Sequence, residues 1–205
     1  MAIKNIIFDL GGVLLNLDIN KTLDAYKAIG LNNIRDLFGI GHADSFFKKY
    51  ETGHLNDDGF IDSILTLEGN TGTAQQITEA WNAMLLDFPP ERVEWLKQLK
   101  STYRLFLFSN TNAIHLRSFQ TAFQELYGFH MDELFERAYY SHVAGLRKPD
   151  AAAYQLVLDD NKLIAQETVF IDDALVNIEA ANSVGIHGIH LQAGHSVTSL
   201  QFDAL

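Results

Sequence analysis

The chain has 205 residues, 47% of them hydrophobic, enough to bury a substantial core as one domain or as one domain carrying an insertion. Its formal net charge of -11 disfavours nucleic acid and anionic membranes as partners, and it makes any anionic substrate dependent on local cations or a metal. The lack of cysteine excludes disulfide scaffolds, thiol nucleophiles and zinc–thiolate sites.

The first predicted element is an apolar strand, Ile3 to Phe8, that ends in Asp9 and runs into Leu10-Gly11-Gly12. A carboxylate at the end of a buried strand is placed either for chemistry or for forming a turn. The two glycines free the backbone to bend tightly and to approach a ligand or metal. From about Leu17 to Phe88 the pattern changes. Helical stretches are predicted over Thr22 to Ile29, Ile34 to Leu37, Ala43 to Tyr50, Phe60 to Leu67 and Ala74 to Leu85, joined by Gly, Asn and Asp turns. Residues 17–88 therefore read as an all-helical cap inserted after the first strand and closed by Pro89-Pro90. Residues 1–16 and 89–205 read as the α/β core.

A helix carrying Val93, Leu96 and Leu99 on one face precedes a second strand, Leu105 to Phe108, which runs into Ser109-Asn110-Thr111-Asn112. Hydroxyl and amide groups at a helix start serve either as helix caps or, with the backbone N–H groups there, as anion ligands. A third strand, Ala138 to Tyr140, leads to Arg147 and Lys148 just before a helix expected to start at Pro149-Asp150. The fourth, Val169 to Ile171, ends in Asp172-Asp173, with Asn177 following, and a fifth apolar run spans Ile186 to Leu191. Adjacent carboxylates at a buried strand end repel each other and are costly without a cation. A hard divalent ion with oxygen ligands, such as Mg2+, resolves that cost. Short apolar runs alternating with helices predict a Rossmann-like parallel sheet, with ligands held outside the carboxyl ends of its strands.

In their order, Asp9, Ser109-Asn110, Lys148-Pro149 and Asp172-Asp173 resemble the four motifs of the haloacid dehalogenase-like hydrolase superfamily, and the match extends through almost the whole chain. The opening Phe8-Asp9-Leu10-Gly11-Gly12-Val13, the second motif Ser109-Asn110-Thr111-Asn112 and the segment Tyr50 to Leu55 are most similar to its small phosphatases, of which the α-D-glucose-1-phosphate phosphatases are one example. The resemblance implies that Asp9 is a nucleophile forming an aspartyl phosphate. It implies that Ser109 and Asn110, with the Gly11 and Gly12 turn, hold the phosphoryl group, and that Lys148 balances negative charge. It also implies Mg2+ held by Asp9, the Gly11 carbonyl, Asp172 and Asp173, without ranking the last two. The implied substrate is a small phosphomonoester, for example a hexose 1-phosphate.

Gly11 departs from the pattern. Most phosphatases of the superfamily carry a second Asp there as general acid and base, a contribution of about 10² to 10⁴-fold. Three readings follow. The first is a phosphatase that acts on activated phosphoesters or draws its acid from elsewhere, with His54, His115 and His142 as candidate donors. The second is a metal-independent 2-haloacid dehalogenase, whose halide needs no proton, although the Asp172-Asp173 pair argues against it. The third is a non-catalytic phospholigand-binding protein. No nucleic-acid, membrane or protein partner is predicted. With no charged-then-apolar leader and no run of about 18 apolar residues, the expected location is cytoplasmic.

Overall fold

The computed structural model describes residues 2–35 and 46–202. Five parallel strands form one sheet: β1 (Asn5–Phe8), β2 (Arg104–Ser109), β3 (Arg137–Tyr140), β4 (Thr168–Asp172) and β5 (His187–His190), in the order β3-β2-β1-β4-β5. All five predicted runs are present, and the fold is the expected Rossmann-like α/β. Because successive side chains alternate across a strand, Ile6 and Phe8 enter one hydrophobic layer with Leu105, Leu107, Val169 and Ile171, while Ile7 enters the other with Phe106, Phe108 and Phe170. Both faces of the sheet are thereby buried, which fixes its register: a slip of one residue would exchange the two layers.

Strand order reverses at β1, which pairs with β2 on one side and β4 on the other. A crevice opens at such a reversal outside the carboxyl ends of the strands. Asp9, Ser109 and Asp172 all stand at this edge.

Between β1 and β2 the described elements are all helical: α1 (Ile19–Ala28), α2 (Phe46–Glu51), α3 (Asp57–Leu65), α4 (Ala74–Asn82) and α5 (Pro90–Leu99). Side-chain caps define three of the starts. Asp18 accepts from the Asn20 N–H, Asn56 from the Gly59 N–H, and Thr73 forms a reciprocal capping box with Gln76. Pro90 takes the first position of α5, where its missing N–H costs nothing. Helices α1 to α4 share a third hydrophobic cluster, including Tyr26, Tyr50, Phe60, Ile64, Ile77 and Trp81, to which Ile114 of the sheet layer also contributes. The two crossings into and out of this segment run side by side: Leu17 pairs with Leu85 in an antiparallel bridge, flanked by Asp18 N–H to Met84 O (3.0 Å) and Leu86 N–H to Asn16 O (3.0 Å). Helix α4 accordingly stops at Asn82, short of the predicted Leu85. Of the predicted helices, Ile34 to Leu37 and the start of Ala43 to Tyr50 lie partly outside the described residues.

The remaining helices are α6 (Ala113–Tyr127), α7 (Ser141–Ala144), α8 (Ala151–Asn161) and α9 (Leu175–Ser183). Helix α8 begins at Ala151, not at the expected Pro149-Asp150: Asp150 takes the extended cap position and Pro149 precedes it, the Lys148–Pro149 peptide being cis. No helix among the described residues is long and apolar enough to cross a membrane.

Candidate active site

At the switch point, the ammonium of Lys148 lies 2.6 Å from Asp9 Oδ1 and 2.7 Å from Asp172 Oδ2. Lys148 is 1% exposed and Asp172 0%. The aromatic rings of Phe108 and Phe170 close over the ammonium at 5.4 and 5.2 Å, so its charge is answered by ring faces as well as by carboxylates. Asp172 is held further by Ala174 N–H to Oδ1 (2.8 Å) and by the Asn177 amide, which donates to both oxygens at 3.0 Å. Asp173 is exposed at the next position and faces Gly12; a Cβ there would collide with its carboxylate. Gly12 also has φ 74°, so the turn requires glycine on both counts.

Oxygens of Asp9, Asp172 and Asp173 lie within 4.8 Å of one another. The ionised trio carries three negative charges against the single positive charge of Lys148. Burial pushes the Asp9 carboxyl up, and the neighbouring Asp172 adds to that effect, outweighing Lys148. Burial opposes the charge of Lys148, yet Asp9 and Asp172 prevail and hold it above the ordinary lysine range. One ammonium thus faces several carboxylates in a buried setting. Hard oxygen donors with an excess of two negative charges suit a divalent cation such as Mg2+, so the residues fit the metal that the sequence pattern implies.

The second motif divides its work. Asn112, rather than Ser109 or Asn110, caps α6 by accepting from the His115 N–H at 3.0 Å. Asn110 brackets the Lys148 backbone: its amide donates to Lys148 O at 2.8 Å and its Oδ1 accepts from Lys148 N at 2.9 Å. The amide side chain expected on a phosphoryl oxygen is thus occupied in fixing the lysine loop. Ser109 is buried at the end of β2. Thr111 is anchored to the first residue of α7, Ser141, which accepts from its N–H and donates to its carbonyl, both at 2.9 Å.

A cavity of about 280 Å³ adjoins this cluster, lined by Gly11, Ser109 and Asn110 from the sheet side and by Leu17, Glu51 and Trp81 from the helical side. At its floor a Cβ on Gly11 would lie 2.5 Å from Leu17 Cδ1, the far end of a flexible and exposed side chain that can shift, so space alone does not require glycine here. The Leu17 methyl fills the space next to Gly11 that a side chain at that position would need. Two of the three candidate histidines, His54 and His142, do not line this cavity. His115 borders the cavity, but its Nε2 bonds the Trp81 carbonyl (3.0 Å), its ring stacks on Trp81, and burial drives its pKa down to about 4, leaving it neutral. His142 lines a separate surface hollow beside Tyr50 and Asp57, and His54 is exposed and bonded through Nδ1 to Thr52. Glu51 and Arg147 were given no role from sequence, although Glu51 lies in the Tyr50 to Leu55 segment that carries part of the family resemblance and Arg147 is one of the two cations before Pro149. They pair across the boundary at 3.1 Å, and burial raises the Glu51 pKa against the pull of Arg147.

The profile of the haloacid dehalogenase-like hydrolases matches residues 3–185. The chain belongs to this family. Among curated relatives, the hydrolase is 26% identical over 192 residues to a D-ribitol-5-phosphate phosphatase of Bacteroides thetaiotaomicron, covering 94% of this chain and 93% of that one. It is 28% identical over 190 residues to a sesquiterpene phosphatase of Aspergillus oryzae, covering 92% and 89%. Among solved structures, a haloacid dehalogenase-family enzyme from Bacteroides thetaiotaomicron, in complex with magnesium and inorganic phosphate, superposes with a TM-score of 0.89 at 33% identity, covering 96% and 98%.

Proposed function

We propose that this hydrolase is a Mg2+-dependent phosphatase of a small phosphomonoester, a phosphorylated sugar or polyol, acting through an aspartyl phosphate on Asp9. The observation that carries the reading is the buried Lys148 wedged between Asp9 and Asp172, with Asp173 beside them. Lysine and metal together supply the positive field that a chain of net charge -11 otherwise denies a phosphate. The phosphatase names of both curated relatives and the magnesium and phosphate in the related crystal structure support the same chemistry.

In this reading Asp9, Asp172, Asp173 and the Gly11 carbonyl hold Mg2+, which when bound offsets charge between the carboxylates and the phosphate. The Asp9 carboxylate attacks phosphorus. Lys148 keeps Asp9 oriented and offsets the charge that gathers on the phosphoryl oxygens. Ser109 and the backbone N–H groups of Gly11 and Asn110 receive those oxygens, while the Asn110 side chain positions Lys148. Residues 17–88 act as a cap over the crevice and select the leaving group. A metal-independent dehalogenase would leave the carboxylate trio with Lys148 alone to offset it, so that reading is disfavoured.

Hydrolysis of p-nitrophenyl phosphate tests the proposal. Activity is expected with Mg2+, and its loss in EDTA and in Asp9→Asn. Turnover that survives EDTA, or that Asp9→Asn retains, overturns it.

A further inference from the structure

Gly11 leaves the phosphatase reading without a proton donor, and Leu17 fills the adjacent space, so the acid cannot come from the nucleophile turn. Two titratable side chains line the cavity beside that turn, His115 and Glu51. His115 is disqualified by geometry: its Nε2 is bonded to the Trp81 carbonyl and its ring face is covered by the indole. Glu51 remains. It ends α2, has its carboxylate 3.1 Å from Arg147, and lines the same cavity as Gly11 and Ser109. The Arg147 contact fixes the side chain from the residue directly before Lys148, tying its position to the catalytic loop.

On the basis of that phosphatase reading, we infer that Glu51 is the general acid and base of this enzyme, a catalytic residue contributed by the helical insertion in place of the carboxylate absent at Gly11. In the first step an Asp9 oxygen bonds to phosphorus, the bond from phosphorus to the leaving oxygen breaks, and the Glu51 carboxyl gives its proton to that oxygen, releasing the alcohol. In the second step the Glu51 carboxylate takes a proton from water as the water oxygen bonds to phosphorus. The bond from phosphorus to Asp9 breaks, freeing inorganic phosphate and returning both carboxyl groups to their starting forms. The burial that raises the Glu51 pKa favours the protonated form needed at the start. The donor sits on the insertion, so proton transfer and leaving-group selection share one surface.

The experiment compares Glu51→Gln with wild type, in Mg2+, on phenyl phosphate and p-nitrophenyl phosphate, whose leaving groups differ in their need for a proton. The expected result is a fall of about 10² to 10⁴-fold in kcat/KM for phenyl phosphate and a much smaller one for p-nitrophenyl phosphate. A burst of p-nitrophenolate is expected as well, because the phospho-enzyme has lost its base. Equal losses on both substrates with no burst, or no loss on either, overturn the inference. Glu51→Asp, which keeps the carboxyl, is expected to restore part of the phenyl phosphate activity; if Glu51→Gln does not fold, an unchanged ratio of the two kcat/KM values in Glu51→Ala overturns the inference and a widened ratio supports it. Wild type that hydrolyses neither ester in Mg2+ removes the phosphatase reading itself, a distinct outcome from a wild type that is active and indifferent to Glu51.

Discussion

The two walls of the crevice are built on different principles. On the sheet side, Asp9, Lys148 and Asp172 form a buried charge cluster in which one ammonium answers two carboxylates, each member fixed at the end of a strand or by a neighbour such as Asn110 or Asn177. On the helical side, Trp81 comes from a separate hydrophobic cluster while Leu17 and Glu51 line the cavity beside it, and the polar contacts with the sheet side include Glu51 to Arg147, Trp81 to Asn112, and Tyr50 to Ile114. The difference separates two tasks. Charge that must not move sits on the element whose register is over-determined by two buried faces. In the proposed reading, groups that would meet the variable part of a substrate sit on an element that can change without disturbing the sheet.

Removing the lysine tests the sheet wall most severely. Lys148→Met leaves Asp9 and Asp172 buried without their cation, a loss of about 3–5 kcal/mol in urea denaturation. Activity on p-nitrophenyl phosphate is expected to vanish as well. Saturating Mg2+ should recover part of the stability, because it offsets the same carboxylates. Equal destabilisation with and without Mg2+ would show that the metal and the lysine do not share one charge balance.

The seam responds to acid through His115. Its pKa is about 4 in the folded protein, depressed by burial, against an ordinary value of 6.5 in the unfolded chain. Between those values the unfolded state binds the extra proton, so stability rises with pH and is lost as pH falls from about 6.5 toward 4, becoming flat below. The gap corresponds to about 3 kcal/mol. The Asp9 carboxyl, held above its ordinary value, contributes the opposite slope in both proteins, so the test is the difference: as pH falls through that window, the urea midpoint of wild type should drop relative to that of His115→Gln, and parallel slopes would place the acid sensitivity elsewhere.

How much of each wall can be read from sequence follows from what holds it. Asp9, Ser109 and Asp172 end apolar runs, so their places at strand ends were visible as soon as the runs were recognised. The burial of Lys148 was not, because nothing in Gly145 to Asp150 distinguishes a solvated lysine from one enclosed by Phe108 and Phe170, residues 40 and 22 positions away in the chain. Asn110 reads as a phosphate ligand by its motif, and only tertiary structure reveals its amide spent on the Lys148 backbone. The α8 start was misplaced because Pro149 is favoured at a first helical position, whereas here it belongs to the turn that delivers Lys148. Glu51 lay in the segment Tyr50 to Leu55 that carries the family resemblance, but its contact with Arg147 depends on how α2 docks against the sheet, which no periodicity within α2 encodes.

The smallest effect isolates that docking. The Tyr50 hydroxyl donates to Asp57 Oδ1 at 2.6 Å and accepts from the Ile114 N–H at 3.0 Å, satisfying a donor in the first turn of α6 that has no partner within its own helix. Tyr50→Phe keeps the ring stacked on Phe60 at 4.2 Å but orphans that N–H, a cost of about 1–3 kcal/mol measurable in urea. The sheet cluster is untouched, so kcat/KM for p-nitrophenyl phosphate should stay essentially unchanged. Glu51 is the next residue, and a loosened seam should lower phenyl phosphate activity by less than Glu51→Gln does. If both substrates instead fall together, the insertion is supporting the sheet wall as well, and the two walls are one cooperative unit.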